Sequence, residues 1–290
     1  MTSIYILKKK ISLLFKHYSA RNGWHLRALS PWEPLSEAGP EAVICNICRW
    51  SGHAFFGTAH CEAATCPQCG SIARDRFLFY CFISRTIKNL GCRVLETSPR
   101  LGEDYRRAMN TWFDYTCSDF DERAHAGTIR IDLQDIELEN ESFDVILSPH
   151  VLEHLPNPDK ALSEIFRVLA PGGRLYLQIP LLQSKTTVPT TPEFHGDATP
   201  VHWRFGFDLT ERLTNCGFMT TLLCTDPFLR MLESRTDPWP ESVSGEFFLN
   251  DIIHGAHKTP LMSAADAVTA ARLGLLPSYM YFTWECIKPN

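Results

Sequence analysis

The chain has 290 residues, 44% of them hydrophobic, enough to bury one α/β core of roughly 200 residues together with one minor module. No stretch approaches the about 18 consecutive apolar residues of a membrane span; even Ile11 to Phe15 is interrupted by Ser12 and flanked by lysines, which excludes a transmembrane helix. The net charge of −5 is uneven, because the first 32 residues carry Lys8, Lys9, Lys10, Lys16, Arg21 and Arg27 and no acid, leaving an acidic body without the positive field of a protein that grips long nucleic acid.

In residues 1–28, Ile4, Leu7, Ile11, Leu14, Phe15 and Tyr18 recur at helical spacing with lysines between them. This predicts a basic amphipathic helix that docks on an anionic membrane surface or an acidic partner, or else packs on its own protein. Residues 29–43, with Pro31, Pro34, Gly39 and Pro40, read as a linker.

Residues 44–72 hold Cys45-x-x-Cys48 and Cys66-x-x-Cys69, two pairs separated by 17 residues. That is the spacing of a tetrahedral four-cysteine zinc ribbon, with Gly52 and Gly70 giving room for the turns. Four thiolates leave no open position, so the metal is expected to be structural. His53, His60 and Cys61 lie between the pairs at less apt spacing. Eleven cysteines, an odd number that includes these pairs, point to a reducing compartment, and the expected location is the cytoplasm, with peripheral membrane attachment through the basic helix.

From residue 73 onward helix and strand alternate. Arg74 to Leu90 reads as a helix stopped by Gly91, and Asn157 and Pro158 start a helix whose apolar face is Leu162, Ile165, Phe166 and Leu169, stopped by Pro171-Gly172-Gly173. Asp208 and Glu211 fit a capping box. Strands are expected at 93–96, 113–118, 128–132, 143–148, 174–179, 219–224 and 279–287, several of them short apolar runs suited to a sheet covered on both faces. The pattern is a doubly wound α/β domain over 73–290. Residues 181–206 read as a lid and 225–277 as an insertion, together enclosing an acceptor.

The stretch FDVILSPHVLEHLPNPDKALSEIFRVLAPGGRLYLQIP, from Phe143 to Pro180, resembles class I S-adenosylmethionine (SAM)-dependent methyltransferases, over about residues 92 to 225. Cys66-Pro67-Gln68-Cys69-Gly70-Ser71 followed by Arg74 and Arg76 is similar to a bacterial group in which a ribbon precedes such a domain. The resemblance implies a seven-stranded Rossmann-like sheet with a final antiparallel strand. It places Glu96 toward the methionine end of SAM, and Asp132 with the backbone of Leu133 at the adenine. Asp119, at the end of the second strand, suits the ribose hydroxyls; Thr97 and Ser148 complete the expected donor site. The chain departs from the family in Glu96-Thr97-Ser98-Pro99-Arg100-Leu101-Gly102, where several glycines usually follow the acid.

Methyl transfer from a sulfonium needs positioning and, for some acceptors, a base. The candidates are His150 and His154, beside Glu153, and His202, with His195 able to touch the acceptor. The function that the resemblance implies is methylation of oxygen or nitrogen on a small molecule or saccharide precursor. Two rival readings are an RNA methyltransferase that grips RNA through the ribbon, Arg74 and Arg76, and a non-catalytic interaction module of the same fold.

Overall fold

Alternating apolar residues on short strands send one set of side chains to each face of a central sheet, which therefore has to be covered on both sides. The computed structural model describes residues 31–32, 42–57, 64–86, 89, 91–121, 123–124, 128–181, 183–195, 199–234, 253–256, 258–275 and 282–290. The helix expected over 1–28 lies outside them, as do His60 and Cys61.

A hairpin of β1 (Val43–Ile44) and β2 (Ser51–Gly52) frames the first cysteine pair. Helix α1 (Ala73–Arg85) follows, then β3 (Arg93–Thr97), α2 (Glu103–Trp112), β4 (Asp114–Asp119), β5 (Ile129–Arg130) and β6 (Phe143–Pro149). A single 3-10 turn, Leu152–His154, leads to α3 (Pro158–Val168) and β7 (Leu169–Gln178). The lid contains β8 (Glu193–Phe194) and β9 (Pro200–Val201), and the chain continues through α4 (Leu209–Asn215), β10 (Met219–Thr225), α5 (Asp226–Ser234), β11 (Leu261–Ala265), α6 (Ala267–Arg272) and β12 (Thr283–Ile287).

The main sheet runs β11-β10-β12-β7-β6-β3-β4-β5. Strands β3 to β7 are mutually parallel, and β12 is antiparallel to both of its neighbours. Seven strands thus follow the expected doubly wound plan. The insertion adds an eighth, β11, parallel to β10 at the edge; its sequence LMSAA has no β-branched residue to mark it as a strand. Val94, Val145, Leu147 and Tyr176 face a core shared with α1, α2 and the cysteine ribbon, while Leu95, Ile146, Leu175 and Leu177 face a second core with α3, α4, α5 and Trp284. Ribbon and sheet are therefore parts of one packed body. Even the linker residue Trp32 joins it, edge-on to Phe113 at 5.7 Å.

Several element boundaries differ from expectation for local reasons. Asn157 caps α3 as expected, accepting from the Lys160 amide at 3.0 Å. Helix α1, however, stops at Arg85 rather than at Gly91: Thr86 turns extended and its hydroxyl meets that of Tyr176 at 3.1 Å. Asp208 does not cap α4; its carboxylate accepts from the amide and hydroxyl of Thr186 in the lid, at 2.8 and 2.6 Å. Strand β7 already begins at Leu169, and Pro171-Gly172-Gly173 forms an irregularity inside it, with Gly172 at φ +71°. The third strand shrinks to Ile129–Arg130, because Asp132 turns back to bridge Asp135.

The described residues of the segment 181–206, read from the sequence as a lid, pair with one another. β8 pairs with β9, Thr187 bridges Arg204, and Arg204 forms an ion pair with Glu193. At its base Gly206 lets two backbones touch: a Cβ there would sit 2.5 Å from the main chain of Ser184 and Lys185.

Candidate functional site

The four cysteines converge. Cys45 and Cys69 sulfurs are 3.6 Å apart, Cys48 and Cys66 sulfurs also 3.6 Å, and all four lie within 4.8 Å of one another. Zinc–sulfur bonds of about 2.3 Å in a tetrahedron require sulfur separations of about 3.8 Å, so the chemistry and closeness of the donor set fit a structural zinc. Each pair sits on a tight turn: the Arg49 amide donates to the Cys45 carbonyl at 2.8 Å and the Gly70 amide to the Cys66 carbonyl at 2.9 Å. The residue after each second cysteine is left-handed, Gly70 at φ +69° and Arg49 at φ +65°. In the first turn it is therefore Arg49, not Gly52, that supplies the bend; Gly52 belongs to β2. His53 is exposed and stands outside the cluster. Hydrogen bonding with Cys45 above all lowers the Cys66 thiol and raises those of Cys48 and Cys69.

Two residues behind the centre escape a search for ligands alone. Ser71 places its hydroxyl 3.3 Å from the Cys45 sulfur and 3.1 Å from that of Cys69. Arg76, completely buried, donates to the carbonyls of Ser71, Ala64 and Leu273, each at 2.8 Å, and lies 3.6 Å above the Phe55 ring. One guanidinium thus ties both halves of the ribbon region to the turn that ends α6. Arg100, in the loop after β3, donates to the Gly70 carbonyl at 3.2 Å and forms an ion pair with Asp75, which also accepts from the Ile72 amide at the start of α1. A half-open apolar cleft of about 370 Å³ between the ribbon and α6 includes none of the expected donor-site residues.

The parallel strands end at one edge, with Thr97, Asp119, Pro149 and Gln178 closing β3, β4, β6 and β7. The sheet order reverses direction between β3 and β6, where ligands enter open α/β folds. The buried hydroxyls of Thr97 and Ser148 meet there at 3.2 Å. Ser98 then takes a left-handed conformation, φ +48°, and its amide donates to the Ser118 carbonyl at 2.7 Å, so serine makes the turn that glycine makes elsewhere. Gly102 needs no glycine for space, since a Cβ there would meet nothing within 4 Å. Asp119 is half-buried at the end of β4, and Asp132 is half-buried with its carboxylate accepting from the Gln134 amide at 2.8 Å; Leu133 between them in the loop is buried.

Glu96 is turned into the core. One of its oxygens accepts from the hydroxyls of Tyr105 at 3.0 Å and Tyr115 at 2.7 Å. Burial pushes its carboxyl up to about 7, against the opposing effect of the two tyrosines. Between the ordinary value of 4.5 and about 7 the native state keeps a proton that the unfolded chain has released, so stability falls as pH rises through that window. Glu96→Gln, which keeps an acceptor for both tyrosines, is expected to flatten this dependence. It should stabilise the protein at pH 8 by up to about 3 kcal/mol relative to the parent, as read from urea denaturation at pH 5 and 8.

Two of the histidines, His195 and His202, belong to the segment 181–206 and the other two, His150 and His154, follow β6. His150 follows β6 directly, with its amide donating to the Gln178 carbonyl at 2.8 Å. His154 ends the 3-10 turn, with Nδ1 2.7 Å from the Pro200 carbonyl, and packs edge-on to His195 at 4.6 Å. His202 and Trp203 donate their amides to the Glu153 carbonyl at 2.9 and 3.2 Å, and the Trp203 indole donates to the Leu155 carbonyl at 3.1 Å. His150, His154, His195 and the His202 backbone are therefore brought together around Glu153, while Glu96 is directed elsewhere.

Residues 101–177 match the family model described as a methyltransferase domain. An arsenite methyltransferase of Aquipseudomonas alcaligenes is 49% identical over 45 residues, which cover 16% of this chain and 13% of that relative's length. Among solved structures, the [4+2]-cyclase SpnF aligns with a TM-score of 0.42 and 14% identity over 81% of this chain and 86% of its own. A SAM-dependent methyltransferase from Mesorhizobium loti aligns with a TM-score of 0.37 and 17% identity, over 52% of this chain and 83% of its own. The segment from 101 to 177, which matches the methyltransferase-domain model, lies within the doubly wound sheet described above.

Proposed function

We propose that the chain transfers the methyl group of SAM to an oxygen or nitrogen of a small molecule or saccharide precursor, and that the four-cysteine ribbon holds one structural zinc. The observation that carries the donor reading is the row of groups at the carboxyl ends of adjacent strands: the Thr97–Ser98 turn, Asp119 and Asp132. A carboxylate at Asp119 accepts hydrogen bonds from ribose hydroxyls, and the left-handed Ser98 leaves the loop open for a ligand to approach. Bound SAM supplies an activated methyl group; the protein holds the donor, excludes water beneath the lid and accepts the acceptor's proton, with His150 as the base, His154 and His202 holding the lid, and His195 beside them.

Calorimetry with SAM tests the donor site. Asp119→Ala is expected to weaken binding by about 1–3 kcal/mol, because ribose hydroxyls lose a charged acceptor in a partly dry cleft. Unchanged affinity would remove Asp119 from the site. The acceptor would be found by mass spectrometry of extract incubated with SAM carrying a heavy methyl group. A small acceptor is favoured over RNA by the burial of Arg76, which is committed to three carbonyls and has no surface to offer a phosphate. No described helix is long and apolar enough to cross a membrane. The lysine-rich composition of residues 1–28 supports their use in bringing a cytoplasmic enzyme to an anionic surface or acidic partner.

A further inference from the structure

The Glu153 side chain is only 2% exposed, and among the described residues neither of its carboxylate oxygens takes a hydrogen bond. Burying a carboxylate without partners is costly, so a group that answers it in the working state is to be expected nearby. Two imidazoles approach the same oxygen, His150 through Nδ1 at 3.6 Å and His154 through Nε2 at 3.8 Å. Their situations differ. The Pro200 carbonyl can only accept, so His154 carries its proton on Nδ1 and is committed to the lid. His150 stands where the ends of β3 and β6 part, in a left-handed conformation, φ +52°, that costs a non-glycine residue about 1–3 kcal/mol. That strained backbone turns Nδ1 toward Glu153 and leaves the ring 17% exposed, with Nε2 engaged by no described residue.

We propose that Glu153 is a positioning residue that holds the His150 ring with its proton on Nδ1, so that Nε2 is the base for methyl transfer. The inference rests on the methyl-transfer reading above. In the step it serves, a lone pair of the acceptor oxygen or nitrogen attacks the sulfonium methyl carbon and the carbon–sulfur bond breaks with its electrons going to sulfur. The acceptor's proton passes to Nε2; S-adenosylhomocysteine and the methylated acceptor leave, and the imidazolium then returns the proton to water. At 3.6 Å the contact with Glu153 is longer than a formed hydrogen bond, as catalytic contacts commonly are before substrate binds.

The test is nitrogen NMR of the full-length protein labelled in its histidines, which reads the proton position on each ring directly. The parent is expected to show His150 protonated on Nδ1. Glu153→Leu, which removes the acceptor, should reverse it to Nε2 while leaving His154 protonated on Nδ1 and SAM affinity unchanged. Glu153→Gln should shift His150 the same way by less, and if the leucine variant does not fold this shift carries the test. An unaltered His150 in a folded variant would overturn the proposal. So would His150 and His154 signals that move on adding manganese or magnesium and not on substitution, which would make Glu153 a cation ligand. A parent protein that shows the Glu153-dependent His150 proton yet binds no SAM would overturn the methyl-transfer reading alone.

Discussion

Removing the metal from the four-cysteine centre is expected to unfold the ribbon and to lower the melting temperature of the whole chain by about 10 °C or more. Structural zinc contributes about 10–16 kcal/mol of apparent binding energy in isolated fingers, and without it the two cysteine turns lose the bonds that join them directly. The effect should spread beyond the ribbon because Cys45, Cys48 and Cys66 belong to the same core as Phe77, Phe82 and Val94. Elemental analysis of protein prepared without chelator should give one zinc per chain, and Cys66→Ser should lose it. Protein without zinc, or Cys66→Ser combined with Cys69→Ser that retained it fully, would overturn the centre.

Replacing Arg76 by methionine is expected to destabilise the protein by about 3–5 kcal/mol. Methionine fills much of the same space beside Phe55, so the loss isolates the polar part: the carbonyls of Ala64 and Leu273 would lose their donor, and that of Ser71 would keep only the Cys66 amide. Arg76→Lys should recover little, because a single ammonium cannot reproduce a planar fork whose three nitrogens serve three separate carbonyls. Urea denaturation measures both variants. A methionine variant within about 0.5 kcal/mol of the parent, the range of an ordinary surface change, would show that these bonds are replaced by water.

Much of the fold was legible because its signals are local. Short apolar runs marked the seven strands of the doubly wound plan, the Asn157-Pro158 start marked α3, and paired cysteines at fixed spacing marked the four-cysteine cluster. What was not legible depends on contacts between distant segments. Asp208 looked like a cap, yet Thr186, 22 residues away, takes its carboxylate. Glu96 stood in the position of a donor-binding acid, and only the folded chain brings Tyr105 and Tyr115 to it. Arg76 entered the rival RNA reading as a gripping cation, and its partners include a carbonyl 197 residues along the chain. The loop after Glu96 departs from the family's glycines, and sequence does not reveal that Ser98 adopts the left-handed turn itself.

Arg100 sits in the loop after β3, where the proposed reading puts the donor, and its side chain grasps both the Gly70 carbonyl of a cysteine turn and Asp75. Two ligands that bias one shared contact obey thermodynamic reciprocity: whatever factor zinc adds to donor affinity, the donor adds to zinc affinity. The rate at which a chelator strips the metal would then be a readout of donor occupancy that requires no knowledge of the acceptor. With Arg100→Ala, donor and chelator should each act as though the other were absent.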